Sequence, residues 1–204
     1  MKSPGVRPGF CLIISDITRI KQGIIIPFEL MRSEVLLQGR AFNVKRDTLK
    51  TPDGREIKFD IVDHCGSVVL LPIDDAGNLL FIRQYRHAVG GDLLELPAGT
   101  RDKDEPYEQC AAREIREETG MEAGSLLKIG EFYPVPGYST EFMAVFLATD
   151  LKENPLQADE DEFLQVEKIP LKKAVEMAEH GEIQDAKSLA ALLLARSYVE
   201  KYLV

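Results

Sequence analysis

Alternating apolar and polar positions predict two β-hairpins in the first half of the chain. The first joins a strand over residues 41–49 to a strand over residues 56–63, with Asp53-Gly54 between them. An Asp-Gly pair between two alternating runs is a strong hairpin signal. The second hairpin is expected to join residues 68–73 to residues 79–85 through an acidic, glycine-containing turn.

The second half of the chain is expected to hold most of the helices. Asp104 is expected to cap a helix over residues 105–119, Pro106 suits its first turn, and Gly120 is expected to end it. Two closing helices are expected at residues 171–180 and 186–202, with Asp185 as a cap for the second. Further strands are expected at residues 93–96, 128–132, 142–149 and 163–169.

The closing helix carries apolar side chains near helical spacing, which we interpret as core packing and not as a partner-binding stripe. They are Leu189, Leu192, Leu193 and Tyr198. Strands mixed with three helices, together with hairpins, indicate an α/β (mixed α+β) fold with helices on both sides of a mixed sheet.

Composition suits one folded domain. The 204 residues are 45% hydrophobic, and 25 basic against 34 acidic residues give a net charge of −9. No basic patch or membrane-spanning run is found, so neither nucleic acid nor a membrane is expected as a partner. Cys11, Cys65 and Cys110 are an odd number without a CxxC spacing, which favours a reducing, cytoplasmic location.

The most informative charges are three carboxylates in the first predicted helix. Glu114, Glu117 and Glu118 fall at positions i, i+3 and i+4, on one helix face near its C-terminus. Like charges at this spacing repel, and the helix dipole disfavours anions at that end. A cation among these carboxylates would offset both effects. Oxygen ligands suit Mg²⁺, with Mn²⁺ as the other candidate.

These carboxylates belong to a longer pattern that resembles the Nudix box. Gly99 is followed by five residues, Glu105, seven residues, and then Arg-Glu-Ile-Arg-Glu-Glu-Thr-Gly-Met over residues 113–121, so all nine defined positions match. The resemblance implies an α/β/α sandwich and hydrolysis of a nucleoside diphosphate linked to another group. It implies metal ligands at Ala98 (carbonyl), Glu114, Glu117 and Glu118, and structural roles for Gly99, Glu105, Arg113 and Gly120.

The segments flanking the box resemble the ADP-ribose pyrophosphatase branch of this family. They are Arg83-Gln84-Tyr85-Arg86, Leu94-Glu95-Leu96-Pro97-Ala98-Gly99 and the Pro136-Gly137 loop that runs to Glu141. The resemblance implies ADP-ribose as substrate, AMP and ribose 5-phosphate as products, and substrate contacts at Arg86, Glu95, Pro136, Gly137 and Glu141.

The general base is expected in the acidic loop at residues 159–162, with Glu162 as first choice and Glu160 as second. Glu117 is expected to act in catalysis as well as in metal binding.

Three parts of the chain are expected. Residues 1–30 form an extension of uncertain role, residues 31–63 form a small N-terminal antiparallel β subdomain, and residues 64–204 form the Nudix domain. By the same resemblance the subdomain is expected to act as a dimer arm, which predicts a homodimer.

Two alternatives remain open at the level of sequence. Another nucleoside diphosphate sugar, ADP-glucose or GDP-mannose, would use the same box with different pocket residues. A Nudix-fold module that binds a ligand without catalysis is the alternative of a different class, although such modules typically lack box carboxylates that are all present here.

Overall fold

The structure is a computed structural model, and it describes residues 28–157 and 163–200. This part of the chain forms ten strands and three helices. The strands are β1 (Glu29–Gln38), β2 (Asn43–Lys50), β3 (Glu56–Asp63), β4 (Ser67–Pro72), β5 (Asn78–Arg86), β6 (Gly91–Glu95), β7 (Ala98–Thr100), β8 (Met121–Phe132), β9 (Met143–Glu153) and β10 (Leu164–Pro170). The helices are α1 (Tyr107–Thr119), α2 (Leu171–Glu179) and α3 (Ala186–Val199).

The first three strands form a separate antiparallel sheet in the order β1-β2-β3. Strands β2 and β3 pair in the register Lys50↔Glu56, so the hairpin predicted around Asp53-Gly54 is confirmed. Strand β1 pairs with the other edge of β2 and is exposed along its whole length. A main-chain bridge between Val62 and Ser139 joins this sheet to the rest of the molecule.

The remaining strands form two sheets. The mixed sheet has the order β7-β4-β9-β8, in which β4 and β9 are parallel and the other pairs antiparallel. The second sheet, β10-β5-β6, is antiparallel throughout. The expected α/β fold with a mixed sheet is therefore confirmed, with the strands divided between two sheets.

The second predicted hairpin is wrong, although both of its strands and its turn exist. Only one bridge, Ile73↔Leu79, joins β4 to β5. Strand β4 is already paired on both edges, with β7 and β9, and β5 is paired on both edges with β10 and β6. Each strand pairs mainly with strands of its own sheet, so the chain passes from one sheet to the second at this turn.

The two faces of the mixed sheet pack against different partners. On one face, Val68, Leu70 and Phe146 pack against Cys110 and Ile115 of α1. Alternate residues of the same strands face the opposite way into a larger core with the second sheet, α2 and α3. The central sheet is therefore covered on both faces. Because side chains alternate between the two faces along a strand, the sequences of its central strands are nearly continuous apolar runs.

Helix α1 ends as predicted but begins differently. Gly120 closes it in the left-handed conformation with φ 72°, and its N–H bonds to the Arg116 carbonyl. The predicted cap Asp104 is wrong. It has a positive φ of 66°, and Pro106 occupies the N-cap without a side-chain hydrogen bond. Strand β8 then starts at Met121, seven residues earlier than expected.

Helix α3 starts at the predicted cap, where Asp185 accepts a hydrogen bond from Ser188 N. Its predicted core face is wrong except at Leu192, since Leu189, Leu193 and Tyr198 are exposed. The helix buries mostly smaller residues instead. Those buried are Ser188, Ala191, Leu192, Ala195 and Val199. Among the described residues, no helix is long and apolar enough to cross a bilayer.

Candidate functional site

The glycine of the box allows a carboxylate to lie directly against the main chain. Gly99 belongs to β7, which pairs with the start of β4. A Cβ placed on Gly99 would overlap all three atoms of the Glu114 carboxylate. Glu114 itself is buried. The helix therefore presents this carboxylate against the strand only because residue 99 has no side chain.

Arg113 ties three carboxylates of the box together. Its guanidinium donates to both oxygens of Glu105, at 3.1 and 3.0 Å, and to Glu114 and Glu117 at 2.6 and 2.8 Å. It also donates to the carbonyl of Thr100. The hydrogen bonds that Arg113 donates to Glu105 lower the pKa of Glu105 and raise that of Arg113. This cluster fixes the loop between β7 and α1.

The fourth box carboxylate, Glu118, is buried and accepts a hydrogen bond of 2.7 Å from the Ala98 N–H. Within residues 28–157 and 163–200, no three His, Cys, Asp or Glu side chains already converge as a metal site, and Arg113 stands between Glu114 and Glu117. The donor set nevertheless fits Mg²⁺ or Mn²⁺, since it consists of carboxylate oxygens and main-chain carbonyls. Three box carboxylates share the single charge of Arg113, and Glu118 adds a fourth carboxylate, so negative charge is left for a cation to offset.

These groups open onto a cavity of about 770 Å³. It is lined by the carboxylates of Glu114, Glu117 and Glu141 and by the cations of Arg86 and Lys187. The loop between β7 and α1 adds further charged side chains, and the turn between β1 and β2 reaches the cavity from the N-terminal sheet. The other charged lining residues are Arg40, Arg101, Asp102, Lys103 and Arg113.

Arg86, the last residue of β5, is held from behind by Glu95 of β6. Its Nε and Nη2 donate to the two carboxylate oxygens at 2.8 and 2.7 Å. Glu95 is 1% exposed, and Lys187 of α3 donates to the same carboxylate. Burial by itself would raise the pKa of Glu95, but the Arg86 hydrogen bond and the Lys187 charge outweigh it and hold that pKa below its usual value.

The structure brings some of the sequence-predicted substrate residues to the cavity and leaves others away from it. Arg86 and Glu141 line it, and Glu141 accepts a 2.7 Å hydrogen bond from the buried Ser67 hydroxyl. Glu95 lies behind Arg86. Pro136 and Gly137 sit in an exposed turn and do not line this cavity.

The predicted bases Glu160 and Glu162 lie outside the described residues. The chain before them is anchored beside α1, because Leu156 N donates to the Arg116 carbonyl at 3.2 Å and Arg116 Nε donates to the Asn154 carbonyl at 2.9 Å. Residues 154–156 therefore lie against the C-terminal part of α1, at Arg116.

Sequence reasoning missed several lining residues, notably Ser67, Lys187, Arg101 and Lys103. One of them carried a usable signal. Lys187 follows the Asp185 cap within the first helical turn, where the helix dipole disfavours a cation. A lysine there indicates an acidic partner elsewhere in the fold. Ser67 carried no such signal, since a serine at a strand start is common.

Comparisons with known proteins agree with the box. A family model of the NUDIX domain matches residues 63–192. An ADP-ribose pyrophosphatase of Bacillus subtilis (strain 168) is 36% identical over 161 residues, covering 78% of this chain and 87% of the relative. A GDP-mannose pyrophosphatase of Citrobacter koseri is 37% identical over 155 residues, covering 71% of this chain and 81% of the relative.

The fold is also found in solved structures. A crystal structure of an ADP compounds hydrolase superposes with a TM-score of 0.77 at 24% sequence identity, covering 90% of this chain and all of the other. At this identity the similarity concerns the fold.

Proposed function

The chain belongs to the Nudix family, and from that membership we propose that it hydrolyses the pyrophosphate of ADP-ribose to AMP and ribose 5-phosphate. The observation that carries this proposal is a cavity lined by both carboxylates and cations. Glu114 and Glu117 line it together with Arg86. Both phosphates of a pyrophosphate carry negative charge, and a metal at the carboxylates together with the arginine would offset that charge.

We propose Glu114, Glu117, Glu118 and the Ala98 carbonyl as the residues that hold Mg²⁺, with Mn²⁺ as the other candidate. The bound ion would polarise the phosphoryl group and lower the pKa of a coordinated water. For Glu114 and Glu117 to take this part, their carboxylates must turn from the Arg113 guanidinium. Arg113 would remain on Glu105, which already accepts two of its hydrogen bonds.

The remaining residues orient the substrate and move the proton. Arg86 keeps Nη1 for phosphate oxygens, because Nε and Nη2 are taken by Glu95. Glu141 would contact the substrate or the attacking water. Glu162, or Glu160 as the second candidate, would accept the proton of that water. The attachment of residues 154–156 to α1 supports the acidic loop in this role.

We further propose that the protein is a cytoplasmic homodimer. The dimer is supported by the N-terminal sheet, where large apolar side chains stay exposed, among them Leu30, Val35 and Leu37 at 57–58%. A face of this kind on a folded domain marks an interaction surface. Residues 31–63 would then be the dimer arm and residues 64–204 the catalytic part.

GDP-mannose is the second candidate substrate. It is supported by the relative from Citrobacter koseri, whose identity to this chain is as high as that of the ADP-ribose pyrophosphatase. The latter match extends over more of both proteins, which favours ADP-ribose. Both substrates present the same pyrophosphate to the box, so only the groups at its two ends distinguish them.

A substrate panel tests the proposal. Purified protein with Mg²⁺ is incubated with ADP-ribose, GDP-mannose, ADP-glucose, NADH and dATP, and products are separated by chromatography. The Glu118→Gln variant keeps the acceptor for Ala98 N but removes the charge. Its matched control is Glu108→Gln, an exposed carboxylate on the same helix.

We expect AMP and ribose 5-phosphate from ADP-ribose, with a loss of about 10²-fold or more in Glu118→Gln and wild-type activity in Glu108→Gln. Turnover of GDP-mannose alone would contradict ADP-ribose as the substrate and would support pyrophosphate hydrolysis as the reaction. No turnover of any compound, together with tight binding of ADP-ribose, would refute catalysis in favour of a binding module.

A further inference from the structure

Lys187 occupies a position that ordinarily disfavours a lysine. It lies in the first turn of α3, next to the Asp185 cap and at the positive end of the helix dipole. Its side chain is only 12% exposed. Burying an ammonium there requires compensation by nearby carboxylates, and two such groups are in contact with it.

The two carboxylates are Glu95 and Asp185. Lys187 Nζ contacts Glu95 Oε2 and lies 3.0 Å from Asp185 Oδ2. Glu95 Oε2 is also the atom that accepts from Arg86 Nη2. One buried carboxylate is therefore shared by two cations, one from β5 and one from α3, which stand 101 residues apart in the chain (187 − 86 = 101).

The two cations differ in how far they reach the cavity. The Arg86 side chain is 39% exposed and that of Lys187 is 12% exposed. The Lys187 ammonium contacts both Glu95 and Asp185, so its charge is balanced by these two carboxylates. Arg86 has Nη1 directed away from Glu95 and is the cation available to an incoming anion.

Lys187 balances the net charge of this cluster. Arg86 and Lys187 carry +2 and Glu95 and Asp185 carry −2, so the cluster sums to zero. Without Lys187 the sum becomes −1, because Glu95 and Asp185 would then have only the charge of Arg86 to balance them. An anionic pyrophosphate approaching Arg86 would then meet a net negative group.

Resting on the proposed function, we propose that Lys187 is a positioning residue for pyrophosphate binding. It neutralises Glu95, and so leaves the charge of Arg86 to the substrate. It acts through Glu95 and Arg86, not by touching the substrate itself.

The first test is Lys187→Met, which keeps the aliphatic stem and removes the charge. We expect KM for ADP-ribose to rise and kcat/KM to fall by about ten-fold or more, while kcat changes less because the lost interaction is already made in the bound ground state. Lys172→Met, at an exposed lysine of α2, is the matched control and should behave like the wild type. Thermal unfolding of each variant reports whether the fold is intact.

The second test is rescue by Glu95→Gln. In Glu95→Gln/Lys187→Met the cluster again sums to zero, with Arg86 at +1 and Asp185 at −1. We expect the double variant to regain at least about three-fold in kcat/KM over Lys187→Met, a non-additivity typical of residues in one network. A lysine that only stabilises the fold would show this rescue in thermal unfolding and not in the kcat/KM of the folded protein.

Two results would overturn the positioning role. One is unchanged KM and kcat/KM in folded Lys187→Met. The other is a double variant no better than Lys187→Met, which would mean that the ammonium touches the substrate directly. Failure of the proposed function is separate, since it shows as no ADP-ribose turnover by the wild type. The same variants are then compared on whichever pyrophosphate substrate the wild type hydrolyses, or by calorimetric ADP-ribose binding if it hydrolyses none.

Discussion

At the scale of single residues, the site depends on side chains that are absent as much as on those present. Gly99 leaves room for the Glu114 carboxylate, which would otherwise overlap a Cβ. Arg113 then holds that carboxylate at 2.6 Å. The spacing of glycine and glutamate in the sequence is thus a packing requirement between β7 and α1.

Gly99→Ala should therefore damage both stability and activity. The added methyl forces Glu114 out of its place, and overpacking of this kind costs about 1–3 kcal/mol. We expect a lower midpoint in urea and a loss of ADP-ribose turnover. Gly91→Ala is the control, since a methyl placed on Gly91 has no neighbour within 4 Å. Equal behaviour of the two variants would contradict the argument.

The pH dependence of stability provides a test at Glu95. Its pKa is lowered in the folded protein, so it contributes stability that is present above the unfolded value of about 4.3 and is lost as pH falls through the lower folded value. Glu95→Gln should unfold at a lower temperature than the wild type at pH 7, and the gap should close below about pH 4. Thermal melts between about pH 3 and pH 8 measure it. A gap that does not change with pH would contradict an ionised, paired Glu95.

At the scale of elements, the conformation of Gly120 sets the direction in which the chain passes from α1 to β8. Gly120 adopts φ 72° and β8 begins at the next residue. A methyl on Gly120 would meet Pro155 Cβ only at 3.7 Å, an ordinary contact. The requirement for glycine here is conformational.

Gly120→Ala should therefore lose about 1–2 kcal/mol in the free energy of unfolding, because an L-residue is strained in the left-handed region. Gly120→Asn should lose less, since asparagine tolerates that region better. Urea unfolding followed by circular dichroism separates the two variants. Equal free energies of unfolding for Gly120→Ala and Gly120→Asn would contradict a conformational requirement for glycine at this cap.

At the scale of the whole molecule, the N-terminal sheet stands apart from the catalytic part. It has its own three strands, and its turn at Arg40 and Ala41 still reaches the cavity. Strand β1 is exposed along its length. If the proposed dimer forms through this sheet, its interface lies near a turn that lines the cavity.

Leu37→Glu should convert the proposed dimer to a monomer, because a charge in an apolar interface is costly to bury. Light scattering after gel filtration should give twice 22.8 kDa for the wild type and 22.8 kDa for the variant. Leu193→Glu is the matched control, since Leu193 is exposed at 72% on α3, outside the N-terminal sheet. A wild-type monomer at micromolar concentration would contradict the dimer.

Local patterns in the sequence were enough to predict the box, the helix that carries it and most strands. The spacing of Glu114, Glu117 and Glu118 places them on one helix face whatever surrounds the helix, and Gly120 ends it for a local reason. The N-terminal hairpin followed in the same way from the Asp-Gly turn.

Tertiary structure alone decided the pairing of strands β4 and β5 and which distant charges meet. The sequences of strands β4 and β5 predict a hairpin, but β4 pairs with β7 and β9 in one sheet and β5 pairs with β10 and β6 in the other. The contact of Lys187 with Glu95 joins α3 to β6 across 92 positions. No local periodicity encodes such a contact, because it depends on how separate elements pack and on the need to pair a buried charge.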